Sequence, residues 1–228
     1  ILAINRGTKF SSLLLESHKT YAAEVTLGIQ TDTDDAEGEH ILRKLITCNS
    51  EEAREKLLSF LGSSMQQPPI YSALKVQGKP MYKYAREGIK VEKAPRAIEI
   101  KTIENISINL PKISFEVSCS KGTYIRSIAR DLGELLNCGG YLSALKRLTQ
   151  QEFLIKDAKK IDEITELDII PLEKAFNHLG SVSLHEEKLK KFINGSAIDL
   201  GLPESGLLRA YNSAGSFIAL GRNSSEGF

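Results

Sequence analysis

The feature that most constrains this chain is a change of periodicity on either side of residues 121–126. Before this stretch, apolar side chains alternate with polar or small ones, as in a strand with one buried face: Ile113, Phe115, Val117 and Cys119. After it, apolar residues recur at three- and four-residue intervals, as in an amphipathic helix: Ile125, Ile128, Ala129, Leu132, Leu135 and Leu136. The sequence therefore predicts a strand that turns directly into a helix.

The turn itself contains a cation in an unusual position. Gly122 permits a sharp change of direction, and we expect Thr123 to cap the new helix with its side-chain oxygen. Arg126 then falls in the first helical turn, where the helix dipole disfavours positive charge. We therefore expect Arg126 to face an anion, either a carboxylate or an RNA phosphate. The alternative is an ordinary surface arginine on a βα turn.

The other elements are predicted from the same kinds of signal. Alternation predicts a strand over 21–29, and a capping box at 49–52 predicts a helix that Gly62 ends. A short helix over 80–86 and two strands over 97–108 and 113–119 follow. Residues 141–153 fit either a helix, from the spacing of their leucines, or a strand. Residues 156–179 are predicted to be a charged helical linker, and the rest to be β-rich.

Composition excludes several classes of protein. Apolar residues at 41% and charged residues at 26% are ordinary for a soluble globular chain, and no apolar run is long enough for a membrane span. Three widely spaced cysteines argue for a reducing compartment, against a disulfide framework and against a zinc site. The acidic loop 31–38 fails as a calcium loop, since Lys44 takes the place of the bidentate glutamate. We expect no metal ion.

Charge is unevenly distributed although the net charge is only +1. Residues 71–96 contain seven cations against two anions, and tyrosines are interleaved among them. Cations beside stacking rings suit a nucleic-acid backbone and an unstacked base. The alternative is a solvated face of lysines.

Four stretches stand in a fixed order along the chain. They are Lys19-Thr20-Tyr21 with the acidic loop 31–38, Pro69-Ile70-Tyr71-Ser72-Ala73-Leu74-Lys75 with residues 78–88, Cys119-Ser120-Lys121-Gly122-Thr123-Tyr124-Ile125-Arg126-Ser127 with residues 131–133, and Cys138-Gly139-Gly140 with Leu145-Lys146-Arg147-Leu148. In this order and spacing they resemble the TruB-type tRNA pseudouridine synthases. The resemblance covers residues 1 to about 155, and less fully the tail.

The resemblance implies a fold and a reaction. The fold is α+β, a mixed, largely antiparallel sheet with flanking helices over residues 1–179, followed by an incomplete, β-rich PUA-like RNA-binding domain over 180–228. The reaction is isomerisation of the uridine at position 55 of the tRNA T-loop to pseudouridine, with no cofactor. The base is flipped out, its glycosidic bond is broken, and the uracil is rejoined through carbon.

The resemblance also implies residue roles. Tyr21 matches the active-site tyrosine, which either only packs on the flipped base or also takes part in proton transfer. Arg126 matches the arginine that pairs with the catalytic aspartate. Leu145 matches an apolar residue that closes over the base. Lys19, Tyr71 and Lys75 match substrate-binding positions of the cleft. The structural alternatives are a core aromatic for Tyr21, and packing or solvated charge for Lys19, Tyr71 and Lys75.

One part of the family pattern is missing from these residues. The catalytic aspartate belongs to a Gly-Thr-Leu-Asp-Pro type segment, which we expect upstream of Ile1; Asp32, Asp34, Asp35 and Asp131 occupy other positions of the pattern. We therefore expect the chain by itself to be inactive. The rival hypothesis is a non-catalytic TruB-like protein that binds or folds tRNA. Under either hypothesis we expect the T-arm of tRNA as partner, no membrane, a monomer and a cytoplasmic location.

Overall fold

The computed structural model describes residues 1–89, 91 and 93–228. Lys90 and Glu92, which contribute to the predicted basic stretch, lie outside the described residues. The chain divides into two units, Ile1–Ala158 and Lys159–Phe228, and each is treated by itself. No helix in the described part of the chain is long and apolar enough to cross a membrane.

The described part of the first unit contains ten strands and four α-helices. Its strands are β1 Lys19–Leu27, β2 Ile29–Thr31, β3 His40–Arg43, β4 Gly62–Gln66, β5 Lys75–Val76, β6 Lys79–Pro80, β7 Arg96–Asn109, β8 Lys112–Cys119, β9 Gly140–Gln150 and β10 Phe153–Leu154. Its helices are α1 Ser11–Leu15, α2 Ser50–Leu58, α3 Met81–Arg86 and α4 Ile125–Leu135, with 3-10 turns at Asn5–Phe10 and Ile155–Asp157.

Six of these strands form one antiparallel sheet in the order β10-β9-β1-β8-β7-β4. β1 lies near the centre, with β9 on one side and β8 on the other. The alternation predicted for β8 is confirmed, because Ile113, Phe115, Val117 and Cys119 are all buried. The mixed α/β architecture with a largely antiparallel sheet is likewise as the sequence predicted.

Helix α4 packs on this sheet through its apolar face. Ile128, Ala129 and Leu132 have no exposed surface and belong to the same core as Val25 of β1. Gly133 lets the helix approach β9 very closely, because a Cβ atom there would lie 2.1 Å from the backbone nitrogen of Gly140. The sheet and the helix backbone are therefore in direct contact at this point.

The start of α4 differs from the prediction in one respect. Gly122 has the expected positive φ of 78°, but the N-cap position is Tyr124, and Thr123 does not cap the helix. The side chain of Gln66, the last residue of β4, instead bonds the backbone of the N-cap residue itself. Its Oε1 accepts a bond from the Tyr124 amide at 2.8 Å, and its Nε2 donates to the Tyr124 carbonyl at 3.0 Å. A residue 58 positions away in sequence thus fixes where the helix begins.

Residues 140–150 form a strand, which settles the ambiguity that the sequence left. Leu142 is buried at 4% exposure, whereas Leu145 is 48% exposed. The pairing with β1, which runs from Gly140 to Gln150, therefore outweighs the helical spacing of the leucines, because it satisfies backbone groups along the strand.

The second unit contains a small sheet of its own. Its elements are α5 Leu172–Ala175, β11 Gly180–Leu184, α6 Glu186–Ile193, β12 Gly206–Asn212 and β13 Phe217–Asn223, with 3-10 turns at Ile161–Glu163 and Glu166–Asp168. β11 pairs with β12 in parallel, and β12 pairs with β13 antiparallel. Leu184, Ile198, Leu208, Ala210 and Phe228 form its core.

The unit boundary falls at 158/159, whereas the sequence prediction placed it at 179/180. The intervening segment belongs with the second unit because Arg209 donates to the carbonyl of Leu179 and to the side chain of Asn177. The predicted helical linker over 156–179 is wrong. Among the described residues this segment forms short 3-10 turns and one four-residue helix, and Leu167 in it is 96% exposed.

Candidate active site

Arg126 meets a carboxylate, as its position in the first turn of α4 requires. Its Nη1 lies 2.8 Å from Oδ2 of Asp35, and both side chains are about one quarter exposed. Nη1 also donates to the carbonyl of Thr33 at 3.3 Å, and Nη2 donates to the carbonyl of Tyr71 at 2.9 Å. These contacts with described residues use three of the five N–H donors of the guanidinium. The remaining two can serve a second acceptor.

The Asp35 carboxylate is fixed from its other side as well. Its Oδ1 accepts a bond from the Thr33 hydroxyl at 2.6 Å and one from the Glu37 amide at 3.1 Å. The Asp35 carbonyl accepts a bond from the Thr31 hydroxyl at 2.7 Å. The acidic loop is therefore an ordered turn whose side chains bond to its own backbone, and it presents one carboxylate oxygen to Arg126.

A second arginine lies one helical turn further along α4. Arg130 places Nη1 3.2 Å from Oδ2 of Asp34 and Nη2 2.7 Å from Oδ1 of Asp131, while Nη2 also donates to the carbonyl of Gln67 at 3.0 Å. Its side chain is 14% exposed and that of Asp34 is 9% exposed. Burial raises the pKa of Asp34 to about 6, although Arg130 and Arg126 act in the opposite direction. Burial likewise raises the pKa of Asp131.

Tyr71 joins the acidic loop from the segment that follows β4. Its hydroxyl lies 3.3 Å from Oδ2 of Asp32, whose Oδ1 accepts a bond from the Glu39 amide at 2.8 Å. The pKa of Tyr71 is raised, first by desolvation and then by the charge of Asp32. The structure thus brings two of the predicted site residues, Tyr71 and Arg126, together around the loop.

Tyr21 lies on β1, opposite Val117 of β8 and Arg147 of β9. It is half-buried at the end of the core face. Burial raises the pKa of its hydroxyl, and the guanidinium of Arg147 opposes this through its charge and a hydrogen bond. The phenol is therefore protonated at neutral pH. Leu145, two residues before Arg147 on β9, pairs with Ala23 and leaves 48% of its surface exposed.

The two lysines among the predicted residues are placed differently. Nζ of Lys19 donates to the carbonyls of Leu15 and Ser17 at 2.9 and 2.8 Å, beyond the end of α1. Burial, followed by the charge of Arg147, lowers the pKa of Lys19. Lys75 is exposed on the small β5–β6 hairpin. No measured contact of described residues joins Lys75 to Arg126 or Tyr21.

The aromatic rings of the basic stretch lie beside cations of the same chain. Nζ of Lys79 lies 4.5 Å from the centroid of the Tyr84 ring and also pairs with Glu87 at 2.6 Å. The guanidinium of Arg86 lies 5.5 Å from the Tyr82 ring. Part of the predicted basic surface is therefore used in internal contacts, whereas Lys83 is exposed.

The sequence of the first unit matches a known family. Residues 1–125 match the model described as TruB family pseudouridylate synthase (N terminal domain).

The chain belongs to the TruB family.

Similar TruB-family proteins cover most of the chain. A tRNA pseudouridine synthase B of Alkaliphilus oremlandii is 40% identical over 86% of this chain and 68% of its own length. The protein of the same name from Clostridium kluyveri is 39% identical over 97% of this chain and 80% of its own length. That from Methylobacillus flagellatus is 36% identical over 99% and 78%. The reaction class that follows from this membership is the isomerisation of uridine to pseudouridine in tRNA.

Solved structures support the TruB-type fold. A chain in the crystal structure of a Cbf5-Nop10-Gar1 complex superposes with a TM-score of 0.66 over 96% of this chain at 22% identity. A chain in an H/ACA RNP bound to a substrate RNA containing 2'-deoxyuridine gives 0.65 at 19% identity. This chain spans 64% and 63% of those two chains, respectively.

Sequence reasoning missed Asp35 as the partner of Arg126 in this TruB-family chain. The helix dipole required an anion, but the family pattern directed attention to an aspartate outside these residues. Asp35 precedes Arg126 by 91 positions, so no local pattern links them. The available signal was the density of carboxylates in the loop 31–38, which needed cations from elsewhere. No group of three His, Cys, Asp or Glu side chains in the described part of the chain could hold a metal ion.

Proposed function

We propose that the protein isomerises uridine 55 in the T-loop of tRNA to pseudouridine. The observation that carries this is the arginine at the first turn of α4, held in place by Asp35 and by two backbone carbonyls, in a TruB-family chain. The reaction breaks the N1–C1′ bond, rotates the uracil and forms a C5–C1′ bond. C5 loses a proton and N1 gains one, so that no atom is added or removed.

In this proposal Arg126 orients the catalytic aspartate of the Gly-Thr-Leu-Asp-Pro type segment. Asp35 and the carbonyls of Thr33 and Tyr71 accept bonds from Nη1 and Nη2 of this guanidinium. Two further N–H donors are then available to a second carboxylate, and paired donors suit the two oxygens of such a group. A guanidinium beside a carboxylate favours the ionised form of that group, which a nucleophile requires.

Tyr21 and Leu145 provide the surfaces for the flipped base. The ring of Tyr21 packs against the uracil, and Leu145 closes over it from β9. Because burial raises the pKa of Tyr21, its hydroxyl holds its proton at neutral pH in the free protein and has to lose it before it can act as a base. We therefore assign Tyr21 mainly to packing on the base. Lys19, Tyr71 and Lys75 contribute to the cleft that holds the RNA.

The same proposal includes the substrate, the oligomeric state, the location and the role of the second unit. The T-arm of tRNA is the substrate, and the protein acts as a monomer in the cytoplasm. The second unit is a PUA-like domain that binds RNA. Its small sheet and short helices are consistent with this assignment.

The experiment uses the full open reading frame and an unmodified tRNA transcript labelled with tritium at C5 of uridine. Isomerisation releases the C5 tritium to water, and mapping of pseudouridine locates the modified position. We expect release of one tritium per tRNA, with the product at position 55. Tight tRNA binding without tritium release would favour the rival function, a TruB-like protein that binds or folds tRNA. Product at another uridine would contradict the T-loop assignment.

A further inference from the structure

Arg130 and Asp34 form a second ion pair next to the pair of Arg126 and Asp35. The two arginines are one helical turn apart on α4, and the two aspartates are adjacent in the acidic loop. Each arginine bonds to one aspartate of the acidic loop and to one carbonyl of the segment after β4, Tyr71 for Arg126 and Gln67 for Arg130. Arg130 also pairs with Asp131 of its own helix. Two parallel bridges therefore tie the loop, the helix and this segment together.

The Arg130 bridge is the more deeply buried of the two. The side chains of Arg130 and Asp34 are 14% and 9% exposed, against 25% and 24% for Arg126 and Asp35. A buried pair is a costly way to stabilise a fold, because desolvation of both charges offsets much of their attraction. Its position next to the Arg126 pair suggests that it serves to hold the acidic loop in place.

The backbone of Asp34 is held in one conformation, and this fixes the position of the next residue, Asp35. Asp34 adopts a positive φ of 62°, which is uncommon for a residue with a side chain. Its carbonyl accepts a bond from the Leu142 amide of β9 at 3.0 Å, and its amide donates to Thr31 at 3.3 Å. With the side chain also bonded to Arg130, Asp34 is held at three points. The next residue is Asp35, whose carboxylate contacts Arg126.

We propose that Arg130 and Asp34 are positioning residues that fix Asp35 against Arg126 and so set the orientation of the Arg126 guanidinium. The proposal rests on the proposed function insofar as Arg126 acts in the isomerisation. Neither Arg130 nor Asp34 touches the base in this account. They act through Asp35, and their loss affects turnover more than RNA binding.

Protonation of Asp34 should weaken the bridge. The charged groups that face Asp34 are Arg126, Arg130 and Asp131, all on α4, and the adjoining part of β9 presents the apolar Leu142. Because burial raises the pKa of Asp34 to about 6, its carboxylate becomes neutral in mildly acidic solution. We then expect turnover to fall on the acid side at about this pH.

The test compares Asp34→Asn and Arg130→Lys with the wild type in the full-length protein. Both substitutions keep the approximate size of the side chain, which protects folding. Single-turnover rates at saturating tRNA should fall about 10- to 100-fold, while the Kd for tRNA stays within about threefold. The acid limb of the rate profile should also disappear in Asp34→Asn. Arg54→Lys is the matched control. Arg54 lies on α2, and like Arg130 it donates to a backbone carbonyl, in its case that of Ile106.

A second measurement does not depend on activity. Hydrogen exchange at the Glu37 amide reports on the Asp35 carboxylate, to which this amide donates. We expect both variants to exchange at least about tenfold faster there, with β12 amides unchanged as an internal reference.

The outcomes separate this inference from the proposed function. Unchanged exchange at Glu37 together with unchanged turnover would overturn the positioning role. Equal losses in turnover and in tRNA affinity would assign the pair to RNA binding and overturn it as well. If the wild type itself released no tritium, the proposed function would fail, while the exchange measurement would still decide whether Arg130 and Asp34 hold the loop.

Discussion

Tyr21 and Arg147 face each other across the β1–β9 pair, and the guanidinium opposes the effect of burial on the phenol. Removing Arg147 should therefore raise the pKa of Tyr21 further. We expect an ultraviolet titration of tyrosinate absorbance to show this shift in Arg147→Ala relative to the wild type. Tyr21→Phe identifies which component of the titration belongs to Tyr21. An unchanged or lowered pKa in Arg147→Ala would mean that the two side chains do not interact.

The pairing of Arg126 with Asp35 predicts the effect of removing either charge. Arg126→Ala should abolish turnover and leave the tRNA affinity within about tenfold, since one lost charge-assisted contact costs about 1–3 kcal/mol. Asp35→Asn keeps the shape of the loop but removes the charge, and should lower turnover in the same direction. Tritium release and filter binding measure the two quantities separately. Substantial turnover in Arg126→Ala would remove this residue from the mechanism.

The close contact of α4 with β9 makes Gly133 unusually sensitive. In an exposed helix, Gly→Ala stabilises by about 1 kcal/mol. At Gly133 the new Cβ would lie 2.1 Å from the Gly140 backbone nitrogen, and a backbone cannot give way as a side chain can. We expect Gly133→Ala to lower the free energy of unfolding by about 1–3 kcal/mol or more.

Denaturant unfolding of Gly133→Ala measures this change. The control is Glu134→Ala, because Glu134 is the neighbouring residue of the same helix and is exposed. It should change stability by less than about 0.5 kcal/mol. A Gly133→Ala protein as stable as the wild type would show that the helix can move away from the sheet without cost.

The raised pKa of Asp34 predicts a pH-dependent stability with a definite sign. The native carboxyl has a pKa of about 6 against an ordinary value of 3.8, so the folded state binds more protons between these values. Its contribution to stability is therefore largest below about pH 4, falls as the pH rises, and levels off above about pH 6. The full fall amounts to at most roughly 3 kcal/mol.

Denaturant unfolding of the wild type and Asp34→Asn at several pH values between 4 and 7 tests this. The difference between the two proteins isolates Asp34 from Asp131 and the other acids. We expect the wild type to lose stability relative to Asp34→Asn as the pH rises through this window. A difference that is constant with pH would show that Asp34 titrates at its ordinary value.

The parts of the fold that were predictable from sequence are those with a strong local period. β8 and α4 follow from their apolar spacing, and the turn between them from Gly122. The strand β9 was not decided by its own residues, because three leucines at helical spacing compete with a strand-like tail. Pairing with β1 decided it. The bonds that hold the N-cap residue Tyr124 could not be predicted either, because they come from Gln66 at the end of β4.

The candidate site shows the same division. The need of Arg126 for an anion follows from helix electrostatics alone. The identity of that anion depends on how a loop near residue 35 folds against a helix near residue 126, and periodicity carries no information on such a contact. Leu145 and Tyr21 were placed on neighbouring strands only once β1 and β9 were known to pair.

The position of β1 near the centre of the sheet has a consequence for synthesis. β1 ends at residue 27, yet its two neighbours are β8 and β9, which extend to residues 119 and 150. On the ribosome, the strand that contains Tyr21 is synthesised well before β9, so one of its edges stays uncovered while the residues between them are made. Contacts of such long sequence separation form slowly, and an uncovered strand edge is prone to aggregation. The surface proposed to receive the base is therefore among the last parts of the first unit to be completed.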